Sequence, residues 1–92
     1  MSENIKYLSE LDKYELININ DGERYDYLQN NDVVVDSQGN LKFLIVNVSG
    51  SKISFFGNNR EFLEIPWECV RKIGVRTIIL DAEEDQIKRA KL

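Results

Sequence analysis

The chain has 92 residues, enough for one small domain, and carries a net charge of −4 with an isoelectric point near 4.8. Nucleic-acid binders usually present a basic face, and here the basic residues are scattered, so direct binding of DNA or RNA is not expected. The longest apolar run is Phe43–Val46, which excludes a membrane-spanning helix of about 20 residues. The N-terminus shows no basic start leading into an apolar core, and one cysteine cannot form an internal disulfide. A cytoplasmic protein is expected.

Ile5, Leu8 and Leu11 recur at spacing three, which predicts a helical turn covering one end of the core. Residues 14–20 alternate apolar and polar, as a strand with one buried face does. Asp21-Gly22 then reads as a hairpin turn, with Gly22 free to take a positive φ. A long return strand is predicted over 24–36, bent at Asn30-Asn31, followed by a second tight turn over 36–40 with Gly39 in the left-handed position. Residues 41–49 are apolar on both faces, which predicts a strand buried twice. Residues 50–65 read as a third hairpin whose tip is Phe56–Arg60, and 75–81 as the last strand. Five or six short strands joined by tight turns indicate a small barrel or sandwich. The tail over 82–92 is charged. Asp81 with Glu84 forms a capping-box pattern, and Glu84/Lys88 and Asp85/Arg89 are spaced as helical ion pairs, so a short C-terminal helix or a frayed end is expected there.

The stretch Ile65–Gly74, IPWECVRKIG, holds the chain's only proline, tryptophan and cysteine. A nucleophilic Cys69 would need a base, and the chain has no histidine. Architecture is the better reading. Pro66 presets φ for a helical turn over 66–72, Trp67 lays its ring over one mouth of the barrel beside Val70 and Ile73, and Gly74 ends the turn. Neither a catalytic nor a metal nor a cofactor site is expected. Asp32 and Asp36 share a strand face without forming a site, and read as edge charges that discourage aggregation. Phe55 and Phe56 are the candidate interaction surface. Neighbours on a strand point to opposite faces, so at most one of them can enter the core. Self-association, most simply as a homodimer, is the first expectation, a different protein partner, still unknown, the second, and folding back on its own barrel the third.

The ordered set LSEL (8–11), KYELININDGER (13–24), NDVVVDSQGNL (31–41), FLIV (43–46), FFG (55–57), IPWECVRKIG (65–74) and TIILD (77–81) resembles the PRC-barrel domain, and more closely the small YlmC/YmxH sporulation-protein family. The resemblance implies a mostly β fold: a small antiparallel PRC-barrel-like β-barrel over 1–81, with 82–92 as a charged tail. Members often carry glycine where this chain has Asp26, a position that suggests a bulge. Similar domains serve as protein-contact modules in the H subunit of photosynthetic reaction centres and in the small-subunit ribosome maturation factor. The implied role is a non-enzymatic interaction or scaffold module associated with sporulation. The alternative is an adaptor for a protein partner in RNA or ribosome metabolism, and the third reading a small carboxylate-dependent hydrolase.

Overall fold

The computed structural model describes residues 5–48 and 61–91. Two four-stranded sheets enclose one core. The first has the order β2 (Glu23–Tyr27), β1 (Glu15–Asn18), β7 (Thr77–Leu80), β6 (Val70–Ile73), and the second the order β3 (Asp32–Val35), β4 (Leu41–Asn47), β5 (Glu61–Pro66), β8 (Lys88–Lys91). A single helical turn, α1 (Leu8–Leu11), precedes them. The arrangement is barrel-like, although among the described residues no strand ladder joins the two sheets. None of the described helices is long and apolar enough to cross a membrane.

Alternation dictates the core. In β1 Leu16 and Asn18 point inward, and in β4 Leu44 and Val46 do the same. Leu63 and Ile65 of β5 and Ile78 and Leu80 of β7 complete the set. The second face of β4, Phe43 and Ile45, is half-buried. Of the three apolar residues in the N-terminal stretch only Leu11 packs on the core, while Ile5 and Leu8 are exposed.

Both predicted turns take their glycines into the left-handed region, Gly22 at φ +75 and Gly39 at φ +89. The first strand ends at Asn18, so the loop spans four residues, closed by the Gly22 N–H on the Asn18 carbonyl at 2.7 Å. The long return strand is bent where Asn30-Asn31 placed the bend: β2 stops, a 3-10 turn covers Leu28–Asn30, and β3 begins. Between them lies a bulge. Glu15 faces Tyr27 and Ile17 faces Arg24, so β2 holds one residue more than β1. Asp26 sits in that bulge at φ +74, among the described residues the one non-glycine with positive φ. Its carboxylate accepts from the Tyr27 N–H at 2.7 Å and from Asn30 Nδ2 at 3.2 Å, bonds that offset the left-handed strain where a glycine would have none.

Two expectations change. The helical turn foreseen over 66–72 is confined to Trp67–Cys69, and residues 70–73 form β6. Gly74 therefore opens the β6–β7 hairpin rather than ending a helix. Its N–H reaches the Thr77 carbonyl at 2.7 Å, and a Cβ there would stand 2.6 Å from Thr77 Oγ1. The C-terminal segment is neither helical nor frayed over 82–91. A capping box forms two residues later than expected, with Glu83 as cap and Gln86 returning a bond to the Glu83 N–H at 2.8 Å. It encloses a single 3-10 turn, after which β8 pairs with β5 from Glu64↔Lys88 to Glu61↔Lys91. The cause is tertiary. Asn18, fully buried, donates from Nδ2 to the Ala82 carbonyl at 3.0 Å and accepts the Ala82 N–H on Oδ1 at 2.9 Å. That grip ties Ala82 to the end of β1, and the chain runs on from there into β8.

Asn18→Ala should cost about 2–3 kcal/mol in urea unfolding, because it strands both polar groups of Ala82 in the core. Asp26 gives a second check. Asp26→Gly should be near neutral, whereas Asp26→Ala should lose about 1–2 kcal/mol, since alanine keeps the left-handed penalty without the compensating carboxylate.

Candidate interaction surface

The IPWEC stretch forms a corner. Pro66 ends β5 opposite Phe43 with ψ 138, and the chain then tightens into the 3-10 turn at Trp67. Cys69 turns inward and is 1 % exposed. Burial, helped by the nearby Glu68 carboxylate, pushes its thiol above the ordinary range, the opposite of what a nucleophilic cysteine needs. Its carbonyl accepts the Asp81 N–H at 2.9 Å. Val70 and Ile73 pack on the core from β6.

Trp67 is half-buried and packs against the core, as Val70 and Ile73 do. It forms one wall of a surface cleft of about 410 Å³. Leu8 and Leu11 line it from α1, Val33 and Val35 from β3, and Leu41 from the start of β4. The outer half of this cleft is apolar and open to solvent: Leu8 is 72 % exposed, Val35 52 % and Leu41 41 %. Asp12 and Asp32 stand on its rim. The cleft runs along β3, which is the terminal strand of its sheet. The Val33 N–H donates to the Asp32 carboxylate at 2.8 Å. Among the described residues no strand pairs with the outer side of β3; Val33 and Val35 face the cleft and Val34 the opposite side of the strand, with Val34 39 % and Val35 52 % exposed.

The turn that follows is held rigidly. Asp36 Oδ1 accepts from the N–H groups of Gln38 and Asn40, each at 2.9 Å, and Oδ2 accepts from Asn40 Nδ2 at 3.1 Å. These bonds, the Asn40 backbone first, hold the Asp36 carboxyl below the usual carboxylate range. Asp36 is thus a turn residue as well as an edge charge, and Asp32 lies at the other end of β3.

A second recess, about 480 Å³ and polar, lies at the opposite end of β4, where Asp21, Arg24, Tyr25, Asn47 and Arg89 meet. Here too the polar groups serve the turns. Asp21 accepts from the Glu23 N–H at 2.9 Å and from the Tyr25 hydroxyl at 3.3 Å. Burial above all raises the Tyr25 phenol.

Phe55 and Phe56 lie outside the described residues. The apolar edge now seen was missed by sequence reasoning, which took Asp32 and Asp36 as the message of DVVVD and passed over the three valines between them. The readable signal was a valine run bounded by acids and tight turns.

The fold defines a small two-sheet β protein in which, among the described residues, an apolar strand, β3, ends one sheet. Two proteins of Bacillus subtilis (strain 168) are similar to it over most of their length. One is named "Probable sporulation protein YlmC", 29 % identical over 77 residues that make up 84 % of this chain and 93 % of that protein. The other is named "Uncharacterized protein YmxH", 31 % identical over 85 residues, 89 % of this chain and 95 % of that protein. The chain belongs to the YlmC/YmxH family. No family model matches it, and no solved structure does.

Asp36 gives this region a pH signature. Its folded-state pKa is depressed, so its contribution to stability is complete above the unfolded value and is lost as pH falls through the folded one. The stability gap between wild type and Asp36→Ala, read by urea unfolding, should therefore be widest near neutrality and should narrow below about pH 4, the ordinary aspartate range.

Proposed function

We propose that this chain is a non-enzymatic protein-interaction module, associated with sporulation through its family, and that its first partner is a second copy of itself. The observation that carries this reading is the exposed valine edge of β3 beside the Trp67 cleft. An aliphatic side chain gains roughly 1.5–3 kcal/mol on full burial, and Leu8, Val34, Val35 and Leu41 are all at least 39 % exposed on the single chain. A 92-residue chain has a thin core and gains correspondingly from an added interface. The buried, poorly acidic Cys69 and the turn-bound Asp21 and Asp36 support a scaffold over a hydrolase. The net charge of −4 supports a protein partner over a nucleic acid, and a cytoplasmic site of action fits this reading. The PRC-barrel resemblance points the same way, since such domains contact proteins.

Light scattering tests it. The wild type should have a mass of at least two chains, and Val35→Lys should fall to 10.7 kDa with its unfolding transition retained. A wild type that stays at one chain at every concentration overturns self-association. In the host, removal of the chain should lower the yield of heat-resistant spores, and an unchanged yield would overturn the sporulation role.

A further inference from the structure

We propose that copies of this chain associate head to tail, the β3 edge of one copy (Asp32–Val35) pairing antiparallel with the β8 edge of the next (Lys88–Lys91). This rests on the self-association reading above and specifies its geometry.

Among the described residues four strands end the two sheets: β2 and β6 in one, β3 and β8 in the other. The edges of the first sheet are irregular. The β2 ladder is broken by the Asp26 bulge and the β6 ladder between Val70 and Lys72, and Arg71 of β6 already leans on Asp81 at 4.0 Å. Bulges twist an edge away from new partners. In the second sheet β8 holds register over all four of its pairs, and the β3–β4 ladder shifts once, between Val34 and Val35, where the extra residue, Lys42, belongs to β4 and not to the edge strand β3.

These two edges carry opposite charge. β3 is Asp-Val-Val-Val followed by Asp36, and β8 is Lys-Arg-Ala-Lys. Among the described residues neither Lys88 nor Arg89 makes an ion pair, nor does Asp32. Opposite charges across a ladder are favourable and like charges directly opposed are not. A two-fold dimer through β3, centred on Val34, would set Asp32 of each copy against Asp36 of the other, and one through β8 would set lysine and arginine against lysine and arginine. Charge therefore disfavours both symmetric pairings and favours the unlike one.

Strand direction agrees. β3, β4, β5 and β8 are antiparallel in succession, so β3 and β8 run in opposite directions. A second copy in the same orientation then presents its β3 antiparallel to the β8 of the first, and the sheet continues without a break in its alternation. Both strands are four residues long. Antiparallel pairing brings the Lys88 end of β8 to the Asp36 end of β3, and the Lys91 position to the Asp32 end. Each contact leaves one β3 and one β8 free, so the assembly extends unless its rotation closes a ring. Because the pairing charges are solvent-exposed, added salt weakens it.

Sedimentation velocity on the full chain tests this. The weight-average mass should climb with protein concentration past two chains and drop as sodium chloride is added. Asp32→Lys and Lys88→Glu, each shown folded by circular dichroism, should each sediment alone as a single 10.7 kDa chain. An equimolar mixture should give a dimer that does not grow, because one intact β8 then meets one intact β3. A wild type fixed at two chains would overturn head-to-tail pairing while leaving self-association standing. A wild type fixed at one chain would overturn both. Either variant still associating by itself would indicate a symmetric contact and overturn the proposal.

Discussion

The buried amide of Asn18 is the constraint on which the rest depends. Leaving a polar group unpaired in a core costs more than the same bond contributes at a surface, and Asn18 is fully buried. Its amide is satisfied by both polar groups of Ala82, 64 residues further along the chain, and its Oδ1 also lies 3.3 Å from the Asn20 N–H. The clamp stands at the end of β1, the strand that pairs antiparallel with β2 on one side and parallel with β7 on the other. It brings the beginning and end of the chain together and sets the path into β8. Without it the charged tail would be free to follow its helical ion-pair spacing.

A second set of asparagines ties the sheets to each other. Asn31 Nδ2 donates to the carbonyls of Tyr25 and Tyr27 in β2, while its Oδ1 accepts from the Asn47 N–H in β4. Asn47 Nδ2 returns a bond to the Asn30 carbonyl at 2.7 Å. Where one strand leaves the first sheet and enters the second, the backbone groups that lose ladder partners are thus met by side-chain amides. The same corner carries the Asp26 bulge, which turns β2 out of its sheet and aims the chain toward β3. Sheet separation, the bulge and the exposed edge are consequences of one another: β3 is a sheet edge because the chain changes sheets just before it.

The two ends of the second sheet differ in charge. A chain of this length has a thin core, and among the described residues an acidic strand, β3, and a basic one, β8, end that sheet. In the proposed association the valines of β3 would supply apolar area, and the acids at its ends would restrict which strand can share it.

Much of the fold was legible in the residues. Period-two alternation located β1, a doubly apolar run located β4, hairpin and turn spacing located β5 and β7, and the glycines at 22 and 39 marked turns because only a residue without a Cβ takes those φ values freely. The bend at Asn30-Asn31 was readable as local chemistry, the bulge at Asp26 through the family resemblance, and family membership as an ordered set of short motifs. Local patterns failed where a distant partner outweighed them. Residues 82–91 carry a helix pattern, yet a single asparagine on β1 and the open edge of β5 draw them into a strand, because long-range hydrogen bonds in a dry setting outweigh a few exposed ion pairs. Trp67 packs on the core, while its place in the wall of a cleft depends on α1 and β3, which lie far from it in the chain. Which residues neighbour in the chain, and what each backbone position can tolerate, the sequence by itself determined. Which edges stay open, and that an acidic and a basic one end the same sheet, only the tertiary structure decided, since pairing partners far apart in the chain leave no local signal.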